Sequence, residues 1–360
     1  VVTIGALVVC SVALAASGRW RPTGSMKDQF EGHHAFLLHN GQVLIAGGGL
    51  TKTAELYDPH TGTWRKTGTM ATGHDLGAGT LLRDGRVLMV GGSADDLAGN
   101  TSTAEIYNPR TGRWHTVRPL RGARADQAAA LLPSGQVLIT GGIAGPQGRT
   151  LASAELYDPR TDRWKFTERM NDPRFFPMIV VLRSGDVLVA GGYGKTSATL
   201  RTAEIYHPRT GRWTRTGRMH SPRVYAATTL LPDGRVLVAG GQNGSSSNLG
   251  TVLASAEIYD PASGRWSPTR PMGIPREQAA TALTVNGKVL VAGGAGENVF
   301  AIRSAALYDP GSGRWSSAGL MSSARSGATA TLLGSGKVLV AGGGRADGKA
   351  LTTAELYVSR

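Results

Sequence analysis

The sequence predicts an all-β chain folded as a seven-bladed β-propeller, on three observations. First, one unit recurs seven times from Gly18 onward: Trp20, Trp64, Trp114, Trp164, Trp213, Trp266 and Trp315 are each followed six residues later by Met26, Met70, Leu120, Met170, Met219, Met272 or Met321, and a glycine pair always begins 21 residues after that. Second, the signals inside each unit describe four short strands and no helix. Third, a single four-stranded sheet cannot bury both of its faces, so successive sheets must pack face to face around an axis. With 51 glycines and only 6% aromatic residues, stability has to come from many small repeated contacts rather than one thick core.

Taken in order, residues 1–17 form a hydrophobic leader. VVTIGALVVCSVALAA ends in small residues before Ser17, the pattern of a secretory segment or, if it is not cleaved, a membrane anchor through residues 1–16. Because the chain opens without methionine, either a basic n-region or more of a membrane helix is expected to precede Val1. The single cysteine, Cys10, lies in this leader, so neither a disulfide framework nor a cysteine metal site is expected in the folded part. Residues 18–360 are the propeller. Strand a is small and apolar, as over 226–231, and a two-residue turn such as Asp233-Gly234 or Asn286-Gly287 leads into strand b, where glycine supplies the positive φ of a tight hairpin. Strand b is a continuous apolar run such as Val236 to Ala239, closed by the glycine pair where a side chain would meet neighbouring backbone. Strand c carries Ala-Glu-Leu/Ile-Tyr, a proline-containing turn follows, and strand d carries the tryptophan. The first tryptophan strand precedes any a-b-c set and the last set, ending AELYVSR, lacks one; pairing the strand around Trp20 beside residues 353–358 closes the seventh blade and removes both free edges.

The glycine doublet after strand b, the tyrosine, the tryptophan and an arginine before strand a together resemble the kelch repeat, over residues 18–360. The resemblance implies a kelch-type propeller with strand a innermost. It leaves function open, because kelch propellers include protein-binding adaptors, galactose-oxidase-like enzymes and bacterial sialic-acid mutarotases.

All length variation falls between the glycine pair and strand c. The b–c loops share one face with the d–a loops, which makes that face the candidate binding face. Aligned d–a segments add three columns. The first holds Phe30, His74, Arg124, Arg174, Arg223, Arg276 and Arg325; the second Glu31, Asp75, Ala125, Phe175, Val224, Glu277 and Ser326; the third Gly32, Leu76, Asp126, Phe176, Tyr225, Gln278 and Gly327. Two readings stand side by side. In one, the five arginines form a ring of bidentate donors for carboxylates, as in kelch domains that bind acidic peptides, with Phe175, Phe176 and Tyr225 as stacking surfaces and Glu31, His74, Asp75, Asp126 and Glu277 as further ligand contacts. In the other, the arginines are structural partners of the glutamates at 55, 105, 155, 204, 257 and 355.

The formal charge of +14 favours anionic partners at long range. A second set, Arg110, Arg113, Arg160, Arg163, Arg209, Arg212, Arg265 and Arg314, lies in the c–d turns on the opposite rim, the pattern of a solvated repeated turn. Galactose-oxidase copper chemistry needs a cysteine-crosslinked tyrosine that Cys10 cannot supply. His33 and His34, adjacent on a strand, point to opposite sides and make a poor metal pair. No cofactor, metal or nucleic-acid partner is expected, and the chain is read as a monomer. The expected function is an exported binding module, secreted, periplasmic or on the cell surface, that engages a protein or an anionic glycan through the b–c and d–a face. The alternative is a carbohydrate-active enzyme resembling the sialic-acid mutarotases, with an acid–base pair and a cation for the substrate carboxylate.

Overall fold

The computed structural model describes residues 18–49, 51–93, 99–145, 147–247 and 249–359; the leader expected over 1–17 lies outside the described residues. Seven four-stranded antiparallel sheets follow one another, each in the order a, b, c, d. We number the blades by their strand a: His34–Leu37, Ala78–Leu81, Ala128–Leu131, Met178–Val181, Ala227–Leu230, Ala280–Leu283 and Thr329–Leu332. Each strand a touches strand a of both neighbours, so these strands line the axis and the ring is closed.

Blade 4 stands for the rest. Its strand b, Val187–Ala190, is buried along its whole length because it is an inner strand covered on both faces, which is why it reads as an unbroken apolar run. Between blades 4 and 5 the core joins Met178, Leu188 and Ile205 to Val236, Val238, Tyr259 and Trp266. Met219, in the crossing between the two blades, packs into the same cluster, which explains its fixed distance from the tryptophan. Within each blade the strand c tyrosine lies across from the strand d tryptophan, as Tyr206 does from Trp213 with ring centroids 5.0 Å apart. The indole N–H then donates outward to the preceding blade's exit, from Trp213 to the Glu168 carbonyl at 2.8 Å and from Trp266 to Gly217 at 2.9 Å.

The seventh blade is stitched from both ends of the propeller. Gly18–Pro22 pairs antiparallel with Ala354–Ser359, with Trp20 opposite Tyr357, and the Trp20 indole donates to the Ala318 carbonyl at 2.8 Å. The b–c loops of blades 3 and 5 extend into two-stranded hairpins of their own, Ile143–Ala144 with Arg149–Thr150 and Gln242–Gly244 with Leu249–Val252. Blade 6 departs most: its strand c runs Ile302–Asp309 and its strand d, Arg314–Arg325, continues unbroken to the head of blade 7.

The glycine pairs are the points of closest approach between blades. Gly141 has φ +70°, and a Cβ there would lie 2.4 Å from the Arg174 carbonyl oxygen. Gly145, in the b–c loop of the same blade, has a similar φ of +73° with nothing within 4 Å of the added carbon. Gly145→Ala is therefore expected to lose only the left-handed backbone penalty, about 1 kcal/mol, whereas Gly141→Ala loses that and a backbone contact between blades, about 2–4 kcal/mol in all, measured by urea unfolding. Equal losses at the two positions would refute the close-approach explanation.

Candidate functional site

The d–a segment heads each blade, and its three columns do three different things. The first column is a knot inside the wall. In blade 4, Arg174 donates from Nη1 to the Gly191 and Thr202 carbonyls at 2.9 and 3.1 Å, and from Nη2 to Thr202 Oγ1 at 3.2 Å and Glu204 Oε1 at 3.1 Å. Glu204 also accepts the backbone amides of Asn171 and Asp172, fixing the bend that enters the blade. The Arg174 carbonyl accepts the Gly142 amide of blade 3 at 2.8 Å. One residue thus joins its own glycine pair through its side chain and its neighbour's through its backbone.

Arg124 with Glu155, Arg223 with Glu257 and Arg325 with Glu355 repeat the pair at 2.8, 2.7 and 3.1 Å. In blade 2 His74 takes the arginine's place, donating from Nδ1 to the Gly91 carbonyl at 2.7 Å with Nε2 facing Glu105 at 3.3 Å. Blade 1 has Phe30, buried, and there Glu55 is held by the amides of Lys27 and Asp28 alone. All five arginines and His74 are buried. Their guanidinium groups face the blades, not the channel, so the expected ring of arginine donors for a ligand carboxylate is not present at Arg124, Arg174, Arg223, Arg276 and Arg325, nor is His74 a ligand contact. The physical reason is the glycine carbonyls and, except at Arg276, the glutamate, which hold the cation in the wall.

The second column pairs with the first residue of its own b–c loop: Asp75 with Ser93, Ala125 with Ile143, Phe175 with Tyr193, Val224 with Gln242, Glu277 with Ala295 and Ser326 with Gly344. The binding-face loops are therefore anchored one residue from the channel. Asp75 Oδ1 accepts the Gly49 amide at 2.9 Å. Glu31 is exposed, with its carboxylate beside Gly344.

The third column is a ring at the channel mouth. All seven of its residues are left-handed, with φ from 49° at Phe176 to 64° at Gly32. Five are not glycine, a conformation that costs each of them about 1 kcal/mol. Backbone bonds run from blade to blade around it: Asp126 to the Leu76 carbonyl and Phe176 to Asp126 at 2.8 Å, Gln278 to Tyr225 and Gly327 to Gln278 at 2.9 Å, and Gly32 to Gly327 at 3.2 Å. The left-handed turn points the amide along the ring, and each side chain is left at the mouth.

That mouth is a cavity of about 540 Å³ to which every blade contributes, with Leu76, Asp126, Phe176, Tyr225 and Gln278 on the rim and His34, Gln127, Met178, Thr228 and Thr281 deeper. One wall is aromatic. Phe176 and Tyr225 have centroids 4.9 Å apart, backed by Phe175 and by Tyr193, whose hydroxyl accepts from Gln242 at 2.8 Å. One carboxylate, Asp126, lines the cavity, and a second, Glu277, stands outside its lining. Asp126 is buried with Oδ1 lacking a donor, and burial, with the nearby Asp75 charge, pushes its carboxyl up to about 7. Glu277 Oε2 is likewise buried without a donor, and its carboxyl is raised by burial. The Tyr225 phenol is raised by burial and by Tyr193, Asp126 and Glu277. Among the described residues no lysine or arginine lines the cavity.

Among the thirteen residues singled out by sequence, Asp126, Phe176 and Tyr225 meet at the cavity. Phe175 backs it, and Glu277 stands close enough to raise the Tyr225 phenol. Gln278, Gln127, His34 and Tyr193 were not singled out. Gly32 and Gly327 in the third column carried the missing signal, since glycine at two of seven equivalent positions marks a left-handed turn. His33 and His34 do point apart: His33 Nε2 bonds Thr329 in blade 7 at 3.0 Å, and His34 Nε2 bonds the Gly77 carbonyl in blade 2 at 3.1 Å. Among the described residues no three His, Cys, Asp or Glu side chains gather into a metal site. The arginines of the c–d turns are exposed.

Seven sheets around an axis, a buried arginine at the head of five of them and one open mouth define a propeller of the kelch class. Residues 127–344 match the model of the KLHDC2/KLHL20/DRC7 Kelch-repeats domain and residues 76–121 match the Kelch motif; the chain belongs to the kelch-repeat family. No curated protein matches the chain. Its fold is similar to that of a fungal alcohol oxidase of the AA5 family in complex with copper, at 16% identity and TM-score 0.76 over 95% of this chain and 76% of that one. It is also similar to YjhT, at 14% identity and TM-score 0.66 over 81% of this chain and 98% of that one. At such identities the likeness is one of fold. A kelch propeller is a protein-binding module or a propeller enzyme, and which of these applies is decided at the site.

Two predictions follow from this geometry. Glu204→Ala leaves Arg174 buried without its carboxylate and is expected to destabilise the protein by about 3–5 kcal/mol in urea unfolding, far more than loss of an exposed ion pair. Asp126 binds its proton more tightly folded than unfolded, so its contribution to stability is present at acid pH and is lost as pH rises from the ordinary carboxylate range through about 7. Asp126→Asn should remove that decline, seen as the difference between the two proteins' stability–pH curves. The difference is needed because His33, held neutral by burial down to about 3, contributes the opposite slope as pH falls below 6.5.

Proposed function

We propose that this chain is a binding module that holds a segment of a protein partner in its axial mouth, and that the segment carries a basic side chain. The observation that carries this reading is the pair of buried carboxylate oxygens, Asp126 Oδ1 and Glu277 Oε2, that lack a donor close to an aromatic wall. Natural interiors seldom leave such groups unsatisfied, and a lysine or arginine head supplies both the donors and the charge. Phe176 and Tyr225 offer faces for a cation–π contact alongside. Retention of five strained non-glycine residues on the ring fits a site whose side chains are selected for what they present.

This choice sets aside the anionic glycan. A sugar carboxylate in the mouth needs a cation there, and the arginines that would provide one are turned into the blade walls. The enzyme alternative falls with it: a mutarotase-like reaction on an acidic sugar needs the same cation beside the acid–base pair. Export through residues 1–17 is part of the proposal and is tested separately, by sequencing the N-terminus of the protein recovered from culture medium, periplasm and membranes.

The binding test uses fluorescence anisotropy at physiological salt with labelled peptides that differ only in lysine against acetyl-lysine. The lysine peptides are expected to bind at least tenfold more tightly, with affinity rising between pH 6 and 8 as the cation drives Asp126 to ionise. Asp126→Asn should abolish both the preference and the pH dependence, and Tyr225→Ala should weaken binding without altering the latter. Acidic oligosaccharides that displace the lysine peptides as effectively as unlabelled lysine peptide, or an unchanged preference in Asp126→Asn, would overturn the reading.

A further inference from the structure

Six blades carry a glutamate at the second residue of the strand c motif; five accept two backbone amides from the bend that enters the blade and Glu155 accepts one. Blade 6 has Ala306 there. The register is unchanged, with Ala306 opposite Val291 as Glu204 is opposite Val189. The bend is unchanged too: Gly273 and Ile274 occupy the place of Asn171 and Asp172.

What the missing carboxylate held has nevertheless stayed. Arg276 is 2% exposed, with Nη1 on the Gly293 and Ser304 carbonyls at 2.8 Å each and Nη2 on Ser304 Oγ alone at 3.1 Å. In the four other arginine blades that Nη2 also reaches a glutamate. Among the described residues, the amides of Gly273 and Ile274 have no acceptor. A buried cation and two amides therefore face a position that an alanine methyl only partly fills. Burial with no carboxylate to offset it lowers the Arg276 guanidinium to about 10.

The bend and the loop of this blade present apolar side chains to solvent. Ile274 is 44% exposed, and the tip of the blade 6 b–c loop presents Val299 and Phe300 at 52% and 75%. The loop folds against the same bend, Gly296 lying beside Val299 and the Pro275 carbonyl.

We propose that blade 6 holds a carboxylate-binding site in which an external carboxylate takes the place of the absent glutamate, accepting from Arg276 Nη2, Ser304 Oγ and the Gly273 and Ile274 amides. The site is separate from the axial mouth. A charge-assisted, partly buried contact of this kind is strong because the cation is already desolvated and positioned. The carboxylate comes either from a small free acid or from an acidic side chain on a peptide whose flanking apolar residues cover Ile274, Val299 and Phe300.

Formate is the first probe, titrated into the full chain against chloride at constant ionic strength while the thermal midpoint is followed. A saturable rise of about 1–3 °C is expected at tenfold excess over Kd. Ala306→Glu, which supplies the carboxylate covalently, should raise the midpoint without formate and abolish the response. Ala306→Gln, which fills the space without charge, should also abolish the response and keeps the test available if the glutamate variant does not fold. No formate-specific rise in the wild type, or a full response in either variant, overturns the proposal. A labelled, end-capped Leu-Glu-Phe peptide, with its Gln counterpart as control, separates the two sources. Binding that formate competes away assigns the site to a peptide side chain, and a formate response with no peptide binding assigns it to a free acid.

Discussion

A buried guanidinium holds this ring together. Each arginine at the head of a blade meets its own glycine pair, and in four of the five a glutamate, through the side chain and the preceding blade's glycine through its carbonyl, so strand pairing within a blade and docking between blades share one residue. The constraint propagates outward. The glycines cannot bear side chains because the arginine carbonyl of the next blade lies where a Cβ would be, and the glutamate cannot be lost without leaving a desolvated cation. Hydrophobic packing between sheets supplies most of the stability, as in any repeat protein. The knot sets the spacing and angle at which that packing occurs.

With the wall fixed in this way, the two residues after the arginine are free to differ. The second fastens the b–c loop to the blade, and the third turns left-handed so that backbone hydrogen bonds link five of the seven blade junctions around the mouth. Three consecutive residues thus serve the wall, the loop and the pocket in turn. Because the ring backbone is tied from blade to blade, exchange of one rim side chain leaves its neighbours in place, and the mouth can vary in chemistry while the fold stays constant.

Charge is divided in a way that the whole-chain value conceals. The +14 excess is carried largely by exposed basic residues, the arginines of the outer turns among them, because four of the five wall arginines are neutralised by glutamates. The mouth holds the Asp126 carboxylate and aromatic rings, with no lysine or arginine among its described lining residues. Long-range attraction of this protein for anions and short-range recognition at its channel are therefore separate properties.

Much of the molecule was legible in the residue order. Invariant intervals between tryptophan, methionine and the glycine pair gave seven sheets, and the offset between the first tryptophan strand and the last a-b-c set gave closure through Trp20, because strand period and unfilled edges are local properties of a chain. The columns of the binding face were visible for the same reason. The direction of a side chain was not. Arg223 and Tyr225 stand two residues apart in one short segment, yet one is sealed in the wall beside Glu257 and the other lines the mouth. That choice depends on the left-handed turn at the third column and on a glutamate more than thirty residues away in sequence. Sequence alone determined the number of blades, their closure and the face that varies; only the tertiary structure decided which of its charged groups are buried in pairs and which are left for a partner, because burial and pairing are fixed by contacts between blades.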